Sequence, residues 1–261
     1  MTSSLPIWHR AKLGAVRLVR NRRKGTLTYV QKGGNQSAVD ENGVSLDSYI
    51  HALYGLALQA LARQGQPKTA LMIGCAGGTL ATMLARAGVA MTVVDIEKAA
   101  FTLAKTHFGL PASVKCRVAD GLKFMQRTRA RFDAVIIDAF IGEKIPPQFT
   151  GEAFSTAARR CLRKNGALFV NVCLNGRADR TADELALMLK GTGWAGKGSA
   201  VRLIDQRGPL RNAVVMAGNV RALRRPRLVV PPAQDRKRLR YELKGMKFRK
   251  ILASSNAAQG A

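Results

Sequence analysis

Acidic residues are scarce in this chain. Sixteen Asp and Glu stand against 43 Lys and Arg among 261 residues, a formal net charge of +27 with the three His neutral. A field of that sign attracts phosphate-rich partners or anionic lipid without specifying which. Long apolar runs are absent as well: none approaches the roughly 20 residues that span a bilayer. Met1–Pro6 lacks a basic stretch leading into an apolar one, so no secretory signal is expected and the chain reads as cytoplasmic. The four cysteines, Cys75, Cys116, Cys161 and Cys173, fit neither metal-ligand spacing nor a disulfide framework. Each lies in an apolar segment and reads as a small buried hydrophobe, and no metal is expected. Hydrophobic residues make up 47 %, enough for a core and too many for wholesale disorder.

What is there is a strict alternation. Thr69–Gly74, Met91–Asp95, Ala134–Asp138, Ala167–Val172, Val201–Asp205 and Ala213–Ala217 are short apolar runs, the mark of strands buried on both faces. Between them lie amphipathic segments at Thr79–Arg86, Lys98–Phe108, Gly121–Thr128, Glu152–Arg163 and Thr181–Lys190. Thr181 and Glu184 have the spacing of a capping box, and Gly166 after Arg163-Lys164-Asn165 has the form of a helix exit. Gln206–Asn212, with Gly208-Pro209 in the turn, is too short for a crossover helix, so the last two strands are expected to pair antiparallel at one edge. The expected fold is α/β: a doubly wound, mostly parallel seven-stranded sheet of the class I methyltransferase (Rossmann-like) type. Residues 67–220 form this domain; 1–66 are a small β-rich lead-in (Leu27–Gln31, Ser37–Val39) plus a helix from about Asp47 to Arg63; 221–261 are a basic C-terminal extension ending in SSNAAQGA, which should fray.

Chemistry gathers at the strand ends. Gly74-Cys75-Ala76-Gly77-Gly78 follows the first core strand and opens a helix, where glycine lets the backbone approach a ligand beside an electropositive helix end. The run has neither the Gly-x-Gly-x-x-Gly form nor a following Lys, which counts against a pyrophosphate site and a P-loop. Asp95 ends the next strand and can accept from both hydroxyls of a ribose. Asp120-Gly121 ends the third, where a carboxylate can take an adenine amino group, and Asp138 ends the fourth. Ligands of open α/β sheets bind outside these carboxyl ends.

The stretches IGCAGGTLATMLA, VVDIEKAAFTLAKTHFGLP, VADGLKFMQRTRARFDAVIIDAF and IPPQFTGEAFSTAARRCLRKNGALFVNV resemble the spermidine synthase-like proteins of the polyamine aminopropyltransferase family over about Leu71–Val172, and more loosely over Leu27–Leu61. The resemblance implies polyamine biosynthesis with decarboxylated S-adenosylmethionine as co-substrate, an amine as acceptor, and a homodimer. It implies that Gly74, Cys75, Ala76, Gly77 and Gly78 line the nucleoside sulfonium, that Asp95 and Ile96 hold the ribose, and that Asp120 with Gly121 meets the adenine. Asp138 matches the first carboxylate of the family's Asp-x-x-Asp segment and would take the proton of the attacking amine, aligning it with the S–CH₂ carbon. The second carboxylate of that segment is here Ile141, with Glu143 nearby. The family's Gln and its Tyr-His pair find approximate partners in Gln31 or Gln36, Tyr49 and His51. Tyr49 is thereby a catalytic candidate, and Gln36, His51, Phe140 and Glu143 are acceptor-side candidates. His51 reads equally as a satisfied core histidine.

Two basic clusters remain, Arg17–Lys24 and the series Arg221, Arg224, Arg225, Arg227, Arg236, Lys237, Arg238 and Arg240. Asp235–Leu252 has Leu239, Leu243, Met246 and Phe248 or Ile251 at near-helical spacing, a basic amphipathic helix. It fits nucleic-acid phosphates, an anionic membrane surface, or plain solvation. Aromatics are few there (Tyr241, Phe248), so base stacking is not indicated. Three functions stand: aminopropyl transfer, methyl transfer from intact S-adenosylmethionine (a nucleic acid being one acceptor), and non-catalytic binding of a nucleoside or nucleic acid.

Overall fold

A computed structural model describes residues 7–205 and 210–253. The Gly208-Pro209 turn and the terminal SSNAAQGA lie outside the described residues. The chain opens with four antiparallel strands in sequence order, β1 (Ile7–His9), β2 (Val16–Asn21), β3 (Thr26–Gln31) and β4 (Gly34–Val39). Val16, Leu18, Leu27 and Tyr29 alternate inward and pack on Leu103 and Phe108, as the period-2 pattern of a one-sided sheet requires. The Arg17–Lys24 cluster occupies β2 and the β2–β3 turn. Helix α1 (Ser48–Leu61) follows and packs into the core of the main sheet through Ile50, Leu53, Leu56 and Leu61.

The main sheet has β5 (Thr69–Ile73), β6 (Ala90–Asp95), β7 (Lys115–Val118), β8 (Phe132–Ile137), β9 (Leu162–Asn175), β10 (Ala200–Asp205), β11 (Leu210–Gly218) and β12 (Lys247–Arg249), in the order β12-β10-β11-β9-β8-β5-β6-β7. Strands β5 to β9 are parallel, β11 enters antiparallel between β9 and β10, and β12 pairs antiparallel with β10. All six residues of β8 are buried, because helices cover both faces. On one face lie α1, α2 (Thr79–Arg86), α3 (Lys98–His107) and α7 (Arg236–Gly245). On the other lie α4 (Gly121–Arg127), α5 (Glu152–Cys161) and α6 (Thr181–Leu189). No helix among the described residues is long and apolar enough to cross a membrane.

The sheet therefore has eight strands, not seven, and the eighth comes from the basic extension. The expected helix over Asp235–Leu252 stops at Gly245, and Met246 turns the chain into β12. There Arg249 reaches Asp205 through Nε (2.7 Å) and Asp183 through both guanidinium nitrogens (2.7 and 2.9 Å). Asp183 thus spends its carboxylate on Arg249. The capping box does not form, because the helix starts one residue early and leaves Thr181 as its first helical residue. Instead Asp179 accepts from Thr181 N at 2.9 Å, and Arg180 takes the cap position without a side-chain bond. Helix α5 also ends early. Leu162 is extended and pairs with Phe132, and Arg163 turns to the buried Asp133 at 3.1 Å, so the three residues before Gly166 begin a strand instead of closing a helix. Of the cysteines, Cys75 and Cys161 are buried, whereas Cys116 and Cys173 are only half-buried.

Candidate functional site

Parallel neighbours β5 and β8 run in register to Ile73↔Ile137, and the segments leaving them are pressed together. Gly74 has φ +98° there, and a Cβ on it would collide with the Asp138 carbonyl. Its N–H donates to Val94 O, and Asp138 N donates to Ile73 O, both at 2.9 Å. Glycine at 74 is thus demanded first by the meeting of three strand ends. Around this point a cavity is lined by Gly74, Cys75 and Ala76 from the first loop, Asp95, Ile96 and Glu97 from the second, Asp120 and Gly121 from the third, and Asp138 to Ile141 from the fourth. Tyr29, Gln31 and Gln36 of the N-terminal sheet close it. Gly77 and Gly78 do not line it. Gly77 lies against Ser37 and Phe108, where a Cβ would come within 2.9 Å of each, and its N–H donates to Ser37 Oγ. Gly78, at φ +66°, packs on Ala104 and Leu110. These two glycines dock the N-terminal sheet and α3 onto the loop.

Asp95 is held from both sides: Oδ2 accepts from Cys75 N and Oδ1 from Glu97 N, each at 2.7 Å. Burial raises its pKa, and those N–H donors pull the other way. Each oxygen keeps a lone pair for a further donor. Glu97, which sequence reasoning did not single out, is buried beside it and accepts from Leu13 N at 3.2 Å, tying the N-terminal segment to the cavity. Asp120 is half-buried and caps α4 through Lys123 N at 2.8 Å.

Asp138 is the most perturbed carboxylate of the cavity. Burial pushes it up to about 6, against the pull of Asn171, whose Nδ2 donates to Oδ1 at 2.8 Å. Asn171 in turn accepts from Asn212 Nδ2 at 3.1 Å. Neither asparagine was expected. The available signal was the polar residue inside the apolar run Ala167–Val172, since a buried amide is kept only where it is hydrogen-bonded.

A second cavity of about 580 Å³ adjoins the first and shares Gln36 and Phe140 with it. Asp47, Tyr49, Glu143, Asn171, Arg238 and Glu242 line it. Burial raises Asp47 to about 6. The Tyr49 hydroxyl is held well above its ordinary value, first by burial and then by the charge of Asp138, so it stays protonated. His51 reaches neither cavity: it is fully buried, its Nε2 bonds Ser45 O at 2.8 Å, and its Nδ1 has no partner among the described residues, so the core position is only half satisfied. Ile141 is 49 % exposed and lines the first cavity. Among the described residues the first cavity carries four carboxylates, Asp95, Glu97, Asp120 and Asp138, and no Lys or Arg.

A methyltransferase-domain family model matches residues 70–166, the segment that builds these strand ends. The chain is 29 % identical over 121 residues to a probable polyamine aminopropyl transferase of Bifidobacterium longum, covering 46 % of this chain and 27 % of that protein. It is 29 % identical over 129 residues to the polyamine aminopropyltransferase of Chromobacterium violaceum, covering 48 % of each. The chain thus spans less than half the length of these curated relatives. The crystal structure of a probable spermidine synthase from Corynebacterium glutamicum superposes with a TM-score of 0.71 at 18 % identity, covering 95 % of this chain and 91 % of that one. In sequence over its central segment, and in fold over nearly its whole described length, the chain is similar to the polyamine aminopropyltransferases and carries the class I methyltransferase fold.

Proposed function

We propose that the protein is a transferase of the aminopropyltransferase type, binding decarboxylated S-adenosylmethionine in the first cavity and an amine acceptor in the second. The observation that carries this reading is the charge of the first cavity: four carboxylates and no Lys or Arg among its described residues, in a protein of net charge +27. A sulfonium that also bears an ammonium suits such a lining. Methyl transfer from the intact co-substrate would bury a carboxylate there without a cationic partner, which is costly.

The co-substrate supplies an electrophilic carbon next to a sulfonium; the chain supplies position and a base. In this reading Asp95, which keeps a lone pair on each oxygen, accepts from the two ribose hydroxyls, and Asp120 accepts from the adenine amino group. Gly121 packs its backbone on Ile73 and Phe149, which keeps the wall close. An acceptor arrives as an ammonium and must lose a proton before it is a nucleophile. Asp138 takes it: Oδ1 is engaged by Asn171, leaving Oδ2 for the proton. A carboxylate near pKa 6 is ionised at neutral pH yet a stronger base than an ordinary Asp. Tyr49, protonated beside it, is a donor that orients the acceptor or the carboxylate.

Calorimetric titration of the two forms of the co-substrate on one preparation tests the reading. The decarboxylated form is expected to bind more tightly, by about tenfold or more for one unpaired buried charge. Tighter binding of the intact form would overturn aminopropyl transfer.

A further inference from the structure

The C-terminal extension is a docked, ordered platform whose outer face the proposed reaction does not use. In α7, Leu239 and Leu243 are buried, and Met246 just beyond is fully buried, all on one side. The other side presents Lys237, Arg240, Tyr241 and Lys244, the i, i+3, i+4, i+7 pattern of one helical stripe. All four are exposed, Tyr241 at 80 %. The extension's two acidic residues are both taken by Arg238, which bonds Asp235 at 3.1 Å and Glu242 at 2.9 Å. The stripe therefore has no carboxylate within ion-pair distance among the described residues. Arg225 adds a cation at its end by donating to Lys244 O at 3.0 Å. Arg249, clamped on Asp183 and Asp205, holds the chain after the helix against the sheet, so the stripe is presented on a fixed surface.

Burial decides between the partners that charge attracts. A helix lying in a bilayer surface needs a free apolar face, and the apolar face of α7 is spent on the core. What remains is cations about 5 Å apart along the axis. Two aromatics in the extension are too few for a stacking platform, but Tyr241 stands 80 % exposed among those cations, and one ring there can stack one base beside phosphate contacts. We propose that the α7 stripe binds single-stranded nucleic acid, with Lys237, Arg240 and Lys244 on phosphates and Tyr241 against an unpaired base. DNA and RNA strands share this chemistry.

The test is fluorescence anisotropy of the full chain with short labelled DNA and RNA single strands, the DNA duplex, and phosphatidylserine vesicles, across a salt series. Because any strongly basic protein holds polyanions loosely, the readout is the salt slope of defined variants. Replacing Lys237, Arg240 and Lys244 by Gln should reduce the slope of log K against log salt by about 2 on single strands, at roughly 0.7 per phosphate contact. Replacing Arg127, Arg129 and Arg131 by Gln, an equal charge change at the end of α4 and in the loop after it, should leave it nearly unchanged. Tyr241→Ala should weaken single-strand binding about tenfold and leave the duplex unaffected. A preference for RNA or for DNA under these substitutions names the source of the strand. Equal slope changes in the two triple variants would overturn the proposal. So would an unaffected Tyr241→Ala variant, or vesicle binding that depends on the stripe as strongly as strand binding does. All these side chains are exposed, and unchanged thermal melting of each variant verifies the fold.

Discussion

Removing Asn171 should raise the pKa of Asp138 and shift the pH at which the protein works. Asn171 donates to Asp138 Oδ1 at 2.8 Å from a position that is 1 % exposed, so leucine there removes the donor and fills its space. A hydrogen bond to a charged acceptor is worth about 1.5–3 kcal/mol, and 1.36 kcal/mol is one pKa unit, so Asn171→Leu should move Asp138 from about 6 to between about 7 and 8. At pH 7 its ionised fraction would fall from about nine-tenths to between half and one-tenth. If Asp138 is the base, the acid limb of kcat/KM should move up by about one to two units while the alkaline plateau survives. Carboxyl-carbon NMR titration of Asp138 gives the same shift without any substrate. A limb that stays near 6 while the plateau collapses would mean that Asn171 only shapes the wall. An unmoved NMR titration would remove the hydrogen bond as the force opposing burial.

Asp138→Asn should stabilise the fold while stopping turnover. The folded pKa of about 6 lies above the ordinary 3.8, so stability is greatest below pH 4, falls as pH rises toward 6, and carries a constant penalty above. That penalty is at most about 3 kcal/mol. Denaturant melts at pH 8 should show the gain and melts at pH 3.5 should not; equal gains at both would refute the electrostatic origin. Arg249→Ala should cost about 3–5 kcal/mol, the effect of stranding buried charge, because Asp183 and Asp205 are buried and share this guanidinium. Burial alone would raise Asp183, but the Arg249 hydrogen bonds hold it below the usual carboxylate range, so that stability is lost as pH falls; a cost under about 1 kcal/mol would mean the extension is anchored elsewhere. Asp95→Ala should weaken nucleoside binding about thirtyfold or more by calorimetry, for two lost hydrogen bonds; unchanged affinity would move the ribose elsewhere.

The central sheet was legible because β5, β6, β8 and β9 carry apolar runs that only burial on both faces explains, and because the first three run into Gly74, Asp95 and Asp138. Asp95, Asp120 and Asp138 could be set side by side from strand order alone. What was not legible depended on partners distant in sequence. Thr181 and Glu184 have capping spacing, yet Asp179 accepts from Thr181 N and the helix starts with Arg180 at the cap, so Thr181 falls one place too late. Arg249 is held by Asp183, 66 residues away, and a local rule cannot see that. The helical spacing over Leu239–Ile251 continues past Gly245, but β10 offers an open edge and Lys247–Arg249 take it. Gly77 and Gly78 look like ligand glycines from their motif and are packing glycines in space, because Phe108 and Ala104 arrive from another helix. His51 was ambiguous until Ser45 O claimed its ring nitrogen.

A net charge of +27 repels a cationic ligand at a distance, and the placement of the acidic residues removes the conflict. Seven of the sixteen, Asp95, Glu97, Asp120, Asp138, Asp47, Glu143 and Glu242, line the two adjoining cavities. Against them stands one described cation, Arg238, already neutralised by Glu242 and Asp235. Charges beyond about 8 Å across solvent are screened at physiological salt, so the exposed arginines and lysines contribute little inside the cavities, and the local carboxylates set the sign there. The same screening makes the outer field a matter of salt, and the inner one a matter of geometry. Ligand binding in the first cavity should therefore change little between low and physiological ionic strength, whereas binding on the α7 stripe should fall steeply. Parallel salt series on the two ligands separate the acidic interior from the basic shell. A steep salt dependence of nucleoside binding would show that the outer charge reaches the cavity after all.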